Sequence, residues 1–235
     1  MCLAATVTCG FHSAFADTEA DGAEEAAIER YLLFAGVDLW RAGGFVHGGL
    51  LWSPGGVQRE GFTFKVLTGG GVYRYQSGRG EIKGNSGLVS AMPGWRFKTD
   101  GLEITAVAGV DLQMHRLRPD DPGNAMRGTH IGARGGFDLW YEPSAWMMVA
   151  ASASVSSIGP DYWTRIATGW RVFDRVWVGP EALALGGSNY QNWRVGLHAT
   201  SFKTGPLEWS AGLGYVRDSD HRNGLYGRIG ILNRR

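Results

Sequence analysis

The stretch Thr129-His-Ile-Gly-Ala-Arg-Gly-Gly-Phe-Asp-Leu-Trp-Tyr-Glu142 decides the fold class. Thr129, Ile131, Ala133, Phe137, Leu139 and Tyr141 occupy one parity, and His130, Gly132, Arg134, Gly136, Asp138 and Glu142 the other. Side chains of a strand alternate between its two faces, so this is a ribbon with one apolar wall and one charged wall. Leu102 to His115 repeats the pattern: Leu102, Ile104, Ala106, Ala108, Val110, Leu112 and Met114 stand against Glu103, Thr105, Gly109, Asp111, Gln113 and His115. Trp193, Val195, Leu197 and Ala199 oppose Arg194, Gly196 and His198, and Leu207, Trp209, Ala211, Leu213 and Tyr215 oppose Glu208, Ser210, Gly212 and Gly214.

Extended along the chain, the same rule gives about twelve segments, at 31–40, 45–53, 61–76, 80–98, 102–115, 127–141, 145–156, 161–172, 175–185, 192–203, 207–217 and 224–233. Tight turns at Thr99-Asp100-Gly101, Pro143-Ser144, Phe173-Asp174 and Thr204-Gly205-Pro206 alternate with longer polar loops at 116–126, 157–161, 186–192 and 218–224. Short turns on one side, longer loops on the other and an even strand number predict an all-β fold, an antiparallel transmembrane β-barrel of about twelve strands. A soluble β-sandwich also alternates, but its inner faces are rich in branched aliphatics. Here the polar faces carry Gly, Ser, Thr, Arg and His, and aromatic residues cap the segment ends: Trp95 with Phe97, Trp140 with Tyr141, Trp146, Trp170, Trp177, Trp193 and Trp209. Rings at segment ends suit a bilayer interface, and strands of about eleven residues match its tilted span.

Composition agrees. Glycine is 37 of 235 residues, more than twice the roughly 7% of an average protein, and charged residues are 19%. The longest unbroken apolar run, Ala145 to Ala151, is far below the roughly 18 residues of a spanning helix. A formal net charge of +1 gives no footprint for nucleic acid. Residues 1–16 end in Ala14-Phe15-Ala16 and read as a signal peptide for export, although no Lys or Arg precedes Arg30. Cys2 and Cys9 both fall within that segment, so the processed chain is expected to lack a disulfide. Residues 17–30 form an acidic tail or plug, and 31–235 the barrel.

No catalytic residue and no cofactor is expected. The histidines lie in different segments without ligand spacing, which points away from a metal site. A lipid-facing esterase pair would need Ser and His two residues apart on one face; His198 is followed by Thr200 and Ser201 and shares the Arg194 face. Gly69-Gly70-Gly71 leads into Val72-Tyr73-Arg74-Tyr75 rather than a helix, so it reads as room for a large interior side chain, not as a phosphate loop. The functional signal that remains is the polar face. Lys65, Arg96, Asp111, His130, Arg134, Asp138, Arg165, Arg171, Glu181, Arg194, His198 and Glu208 are expected to line the lumen. Both signs are present, so a largely filled, ion-paired interior is favoured over a water-filled pore.

Seven segments in order, HGGLLWSPGG (47–56), MPGWRFK (92–98), PDDPGN (119–124), RGGFDLWYEP (134–143), GWRVFDR (169–175), FKTGPLEWSAGLG (202–214) and RDSDHRNGLYGR (217–228), resemble the cellulose biosynthesis protein BcsS family. The resemblance implies a bacterial outer-membrane barrel, without enzymatic activity, serving cellulose synthesis and secretion as an export or assembly component. It brings no catalytic residues to carry over. The implied partners are outer-membrane lipid, the cellulose chain and other secretion proteins. For a glucan, Tyr162, Trp163, Tyr190 and Trp193, with Asn189, Gln191 and Asn192, are candidate contacts, their plainer role being that of loop and interface residues. A small-solute porin and a lipid-modifying barrel enzyme are the alternative functions.

Overall fold

The computed structural model describes residues 28–78, 80–173, 175–187 and 190–235. The expected signal segment, and the acidic tail up to residue 27, lie outside the described residues. Twelve antiparallel strands follow one another: β1 Tyr31–Trp40, β2 Gly43–Trp52, β3 Gly61–Ser77, β4 Gly80–Thr99, β5 Leu102–Arg118, β6 Gly128–Ser144, β7 Met147–Ser156, β8 Asp161–Val172, β9 Val176–Gly187, β10 Tyr190–Thr204, β11 Leu207–Asp218 and β12 Asn223–Arg234. Each pairs with its neighbours in sequence, and β1 closes on β12 from Leu32 opposite Arg234 to Trp40 opposite Tyr226. The result is a closed barrel without a free sheet edge.

The turns at 100–101, 145–146, 173–175 and 205–206 lie at the same end as the chain ends of β1 and β12. The connections at 119–127, 157–160 and 219–222 lie at the other, here called the loop end. The stretch 186–192 differs from its reading as a loop, because β9 runs to Gly187 and β10 begins at Tyr190. Likewise β5 continues to Arg118. Polar side chains do not end a ladder whose backbone groups are satisfied by the next strand. β3 to β6, at 17, 20, 17 and 17 residues, outreach β1 and β2 at 10 each, so the wall is stepped at the loop end.

Outward faces carry Val46, Val72, Val89, Val110, Ile131, Val195, Leu197 and Leu213, all exposed. In water such a continuous apolar belt would drive association; against lipid it is the required surface. A girdle of Tyr31, Trp52, Phe62, Trp95, Phe97, Tyr141, Trp146, Trp170 and Phe202 circles the end opposite the loops, and Trp193 and Tyr215 lie toward the loop end. Trp140 and Trp177 do not belong to it. Trp140 shares the parity of Asp138, and Trp177 that of Glu181, so both indoles turn inward and meet edge to face beside Met148.

Strict alternation also fails in β10. The pairing with β11 slips between Thr200 and Phe202, and Ser201 takes φ 68°. This bulge directs both Thr200 and Ser201 inward and returns Phe202 to the lipid face. The triple glycine has a packing role: the Phe45 ring lies across β3, and a Cβ on Gly69 or Gly71 would come within 2.7 Å of it. At Gly71 the Gly44 carbonyl oxygen, at 2.3 Å, blocks a side chain as well. Gly71→Ala is therefore expected to destabilise the folded barrel by about 1–3 kcal/mol. The urea midpoint of the detergent-folded protein, read by its heat-modifiable gel migration, checks this; an unchanged midpoint contradicts it.

Candidate functional site

The interior is the place where charged side chains converge, and strand parity puts them there. Mid-barrel, Glu181 of β9 is the node. Arg165 of β8 donates its Nε to Glu181 Oε2 at 2.9 Å, and Arg228 of β12 donates Nη2 to the same oxygen at 2.6 Å. Tyr226 donates its hydroxyl to Oε1 at 2.9 Å. The carboxylate fits because Gly212 faces it: a Cβ there would lie 2.1 Å from Oε1. One carboxylate thus joins guanidinium groups from two non-adjacent strands across the lumen.

A second node holds Arg194 of β10. It donates to Asp38 at 3.1 Å and to Asn192 at 3.0 Å, and its guanidinium stacks 4.7 Å above the Trp40 ring. The third is Asp111, which accepts from Arg134 at 2.8 Å and from Ser90, Gln113 and Ser156, each at 2.7 Å. Below these, Lys65 pairs with Asp138 at 3.2 Å, and Glu208 accepts from Arg234 at 2.9 Å and from Ser201 at 3.1 Å. These charges are buried, so each needs a partner to remain ionised.

The expected lumen residues are therefore distributed as follows. Lys65, Arg96, Asp111, Arg134, Asp138, Arg165, Glu181, Arg194, His198 and Glu208 are buried inside the wall. His130 is not: it is half-buried at the loop end and its Nε2 contacts the Arg127 carbonyl at 3.2 Å. Arg171 sits half-buried at the opposite end, paired with Glu142 at 3.3 Å and stacked over Trp177. Both occupy strand ends, where the wall meets water. His198 uses Nδ1 on Thr200 and Nε2 on the Thr168 carbonyl, each at 3.0 Å, so it is held by its neighbours rather than presented to a nucleophile.

Sequence reading missed Asp38, Tyr226 and Arg228. Asp38 and Arg228 face each other across the β1–β12 seam, a pairing that separation in sequence conceals. Their signal was a charge inside an otherwise apolar segment.

The candidate glucan contacts are not brought together. Trp163 and Tyr190 are buried in the interior core, with Tyr190 donating to Asp218 at 3.3 Å. Tyr162 and Trp193 occupy the outer face, and Asn189 lies outside the described residues. Neighbouring strand positions point to opposite sides, so these rings cannot form one track.

Toward the loop end the lumen is filled by Trp40, Tyr73, Tyr75, Ile82, Leu117, Trp163, Leu185 and Tyr190. The 119–127 loop folds over this layer. Tyr75 donates to Asp121 and accepts from Asn124, both at 2.7 Å, while Met126 packs on Ile158. The 219–222 loop crosses to β3 through Arg222 and the Arg74 carbonyl, at 2.8 Å. Among Lys65, Met92, Arg134, Asp138 and Trp163 remains a cavity of about 10 Å³, room for one water at most.

The family profile for cellulose biosynthesis protein BcsS matches residues 32–235. The chain belongs to that family. No curated protein matches it. Among solved structures it is similar to an outer-membrane channel of Pseudomonas putida F1, at 11% identity and TM-score 0.59, covering 92% of this chain and all of that one. It is also similar to a deletion mutant of TodX, a monoaromatic hydrocarbon channel, at 9% identity and TM-score 0.50, covering 88% of this chain and 90% of that one. At these identities the likeness is one of fold, an outer-membrane β-barrel.

In this BcsS-family barrel, removing Glu181 leaves Arg165 and Arg228 buried against each other. Glu181→Ala is expected to cost about 3–5 kcal/mol, the usual penalty for breaking one side of a buried ion pair. Urea unfolding of the detergent-folded variant measures it. A loss below about 1 kcal/mol, the scale of an exposed pair, contradicts the node.

Proposed function

We propose that this BcsS-family protein is a non-enzymatic component of the outer-membrane stage of cellulose secretion, a structural or assembly partner beside the path of the glucan. The observation that carries this reading is the filled interior. The ion pairs centred on Glu181, Arg194 and Asp111 cross the lumen, and an aromatic layer and folded loops lie above them. A cellulose chain in transit needs a continuous passage several ångströms wide along the whole barrel. Opening one here would separate several buried pairs, each costly to break alone.

The same filling weighs against a small-solute porin, whose lumen must hold water. Against a lipid-modifying enzyme stands the placement of the polar groups: His198 and the buried serines Ser90, Ser152, Ser154 and Ser156 all face inward. Between its rims the lipid-facing wall is mostly apolar. What this barrel offers other secretion proteins is therefore its rims and its outer wall.

A strain lacking only this gene, assayed for extracellular cellulose with synthase activity of isolated inner membranes as the control, tests the reading. Loss of surface cellulose with the synthase intact is expected. Unchanged surface cellulose contradicts it.

A further inference from the structure

The step in the wall at the loop end forms a groove of about 500 Å³ on the outside of the barrel, where the β1–β2 hairpin stops and β3–β5 rise past it. Its lower edge is apolar, with Leu39 and Val72 exposed, and Gly43 and Gly44 bring no side chain into it. Its upper edge is cationic. Arg74 lies directly opposite Lys83 on β4, and Lys83 directly opposite Arg118 on β5. All three are exposed on the outer face and line the groove, joined by Arg41. Arg116, one outward position lower on β5, lies opposite Asn85.

Like charges placed directly opposite on neighbouring strands destabilise a sheet. Strands are spaced at about 4.8 Å, so three cations fall within roughly 10 Å. Among the described residues, no carboxylate pairs with Arg41, Arg74, Lys83, Arg116 or Arg118, and Arg41 donates to the Asn223 carbonyl at 2.8 Å. The nearby acids are engaged elsewhere, Asp120 with Arg127 and Asp220 with Arg222. Glu81, the next outward residue on β4, stands two pairs further toward the loop end, opposite Gln76.

We propose that this groove binds a phosphate-bearing lipid of the leaflet at the loop end. Phosphate oxygens accept from Arg74, Lys83 and Arg118, with Arg41 beside them, and an acyl chain lies along Leu39 and Val72. Three observations select that ligand. Clustered guanidinium and ammonium groups suit phosphate, to which arginine bonds in a bidentate fork. The cations sit above the apolar band: Val72 is the next outward residue below Arg74 and Met114 the next below Arg116, while on β4 Asn85 and Gly87 separate Lys83 from Val89. And the exposed side chains of its lining, Leu39, Val72, Arg74, Lys83 and Arg118, stand on outward strand positions. The inference rests on the outer-membrane reading of the barrel, but not on any role in cellulose secretion.

Native mass spectrometry of the detergent-folded protein with purified bisphosphorylated lipid A as the probe tests the site. One retained lipid is expected, with retention lost for the dephosphorylated form of the same lipid. The triple variant Arg74→Gln/Lys83→Gln/Arg118→Gln should bind on the order of a hundredfold more weakly, at about 1 kcal/mol per cation near a headgroup surface. Lys83→Gln alone, in an exposed strand position, should bind roughly fivefold more weakly on the same scale and serves if the triple variant does not fold. Equal retention of the dephosphorylated lipid, or unchanged affinity in the variants, overturns the proposal. Displacement of the lipid by millimolar inorganic phosphate also overturns it, by making the site one for a free anion. The assay contains no cellulose, so its failure and an unchanged cellulose phenotype are separate results.

Discussion

A bilayer core offers no water to an unpaired N–H or carbonyl, and this constraint governs every other feature of the barrel. β1 pairs with β2 on one edge, and its other edge is satisfied only by β12, nearly two hundred residues later, along the ladder from Leu32–Arg234 to Trp40–Tyr226. Once that seam closes, each strand has a lipid side and a lumen side, and parity determines the rest. Valine and leucine go out. Arginine, aspartate and glutamate go in, where their desolvation has to be offset by one another. The glycines follow from the same closure: inward rings such as Phe45 lie across the neighbouring strand, and only Gly69 and Gly71 leave space for it.

The interior is organised by height. Trp140, Trp177 and Met148 fill part of the end opposite the loops, the charged nodes occupy the middle, and Tyr73, Tyr75, Trp163 and Tyr190 fill the loop end. Buried ion pairs are a poor source of net stability, since desolvation consumes most of their attraction. They do impose a unique arrangement. Glu181 bridges β8 and β12 across the lumen, so a shift of either strand disturbs its hydrogen bond to the shared carboxylate. On the proposed reading, the filled interior, more than the wall, sets this barrel apart from a water-conducting one.

Much of this was legible from alternation alone. The strand number, the lipid face and most of the buried charges follow from period two, because a barrel wall has only two sides. What was not legible depends on register or on local geometry. Asp38 and Arg228 reveal their relation only when the seam is paired. Ser201 breaks parity through a bulge that no residue type announces, and Trp140 and Trp177 have the composition of an interface belt but the parity of the lumen. Tyr162 and Trp163 look like a sugar platform in sequence, yet adjacency in a strand sends one ring out and the other in. The cationic groove is a further case: Arg74, Lys83 and Arg118 are scattered in the chain and become neighbours only through the β3–β4–β5 register.

The central claim is that the lumen is closed by its own side chains, and conductance tests it most directly. The purified barrel, inserted into a planar bilayer of zwitterionic lipid in molar salt, is expected to give no steady open-channel current. Glu181→Ala, which unties the central node, should produce flickering openings in the same membrane. A stable, ohmic pore in the unaltered protein would contradict the account and make the barrel a conduit.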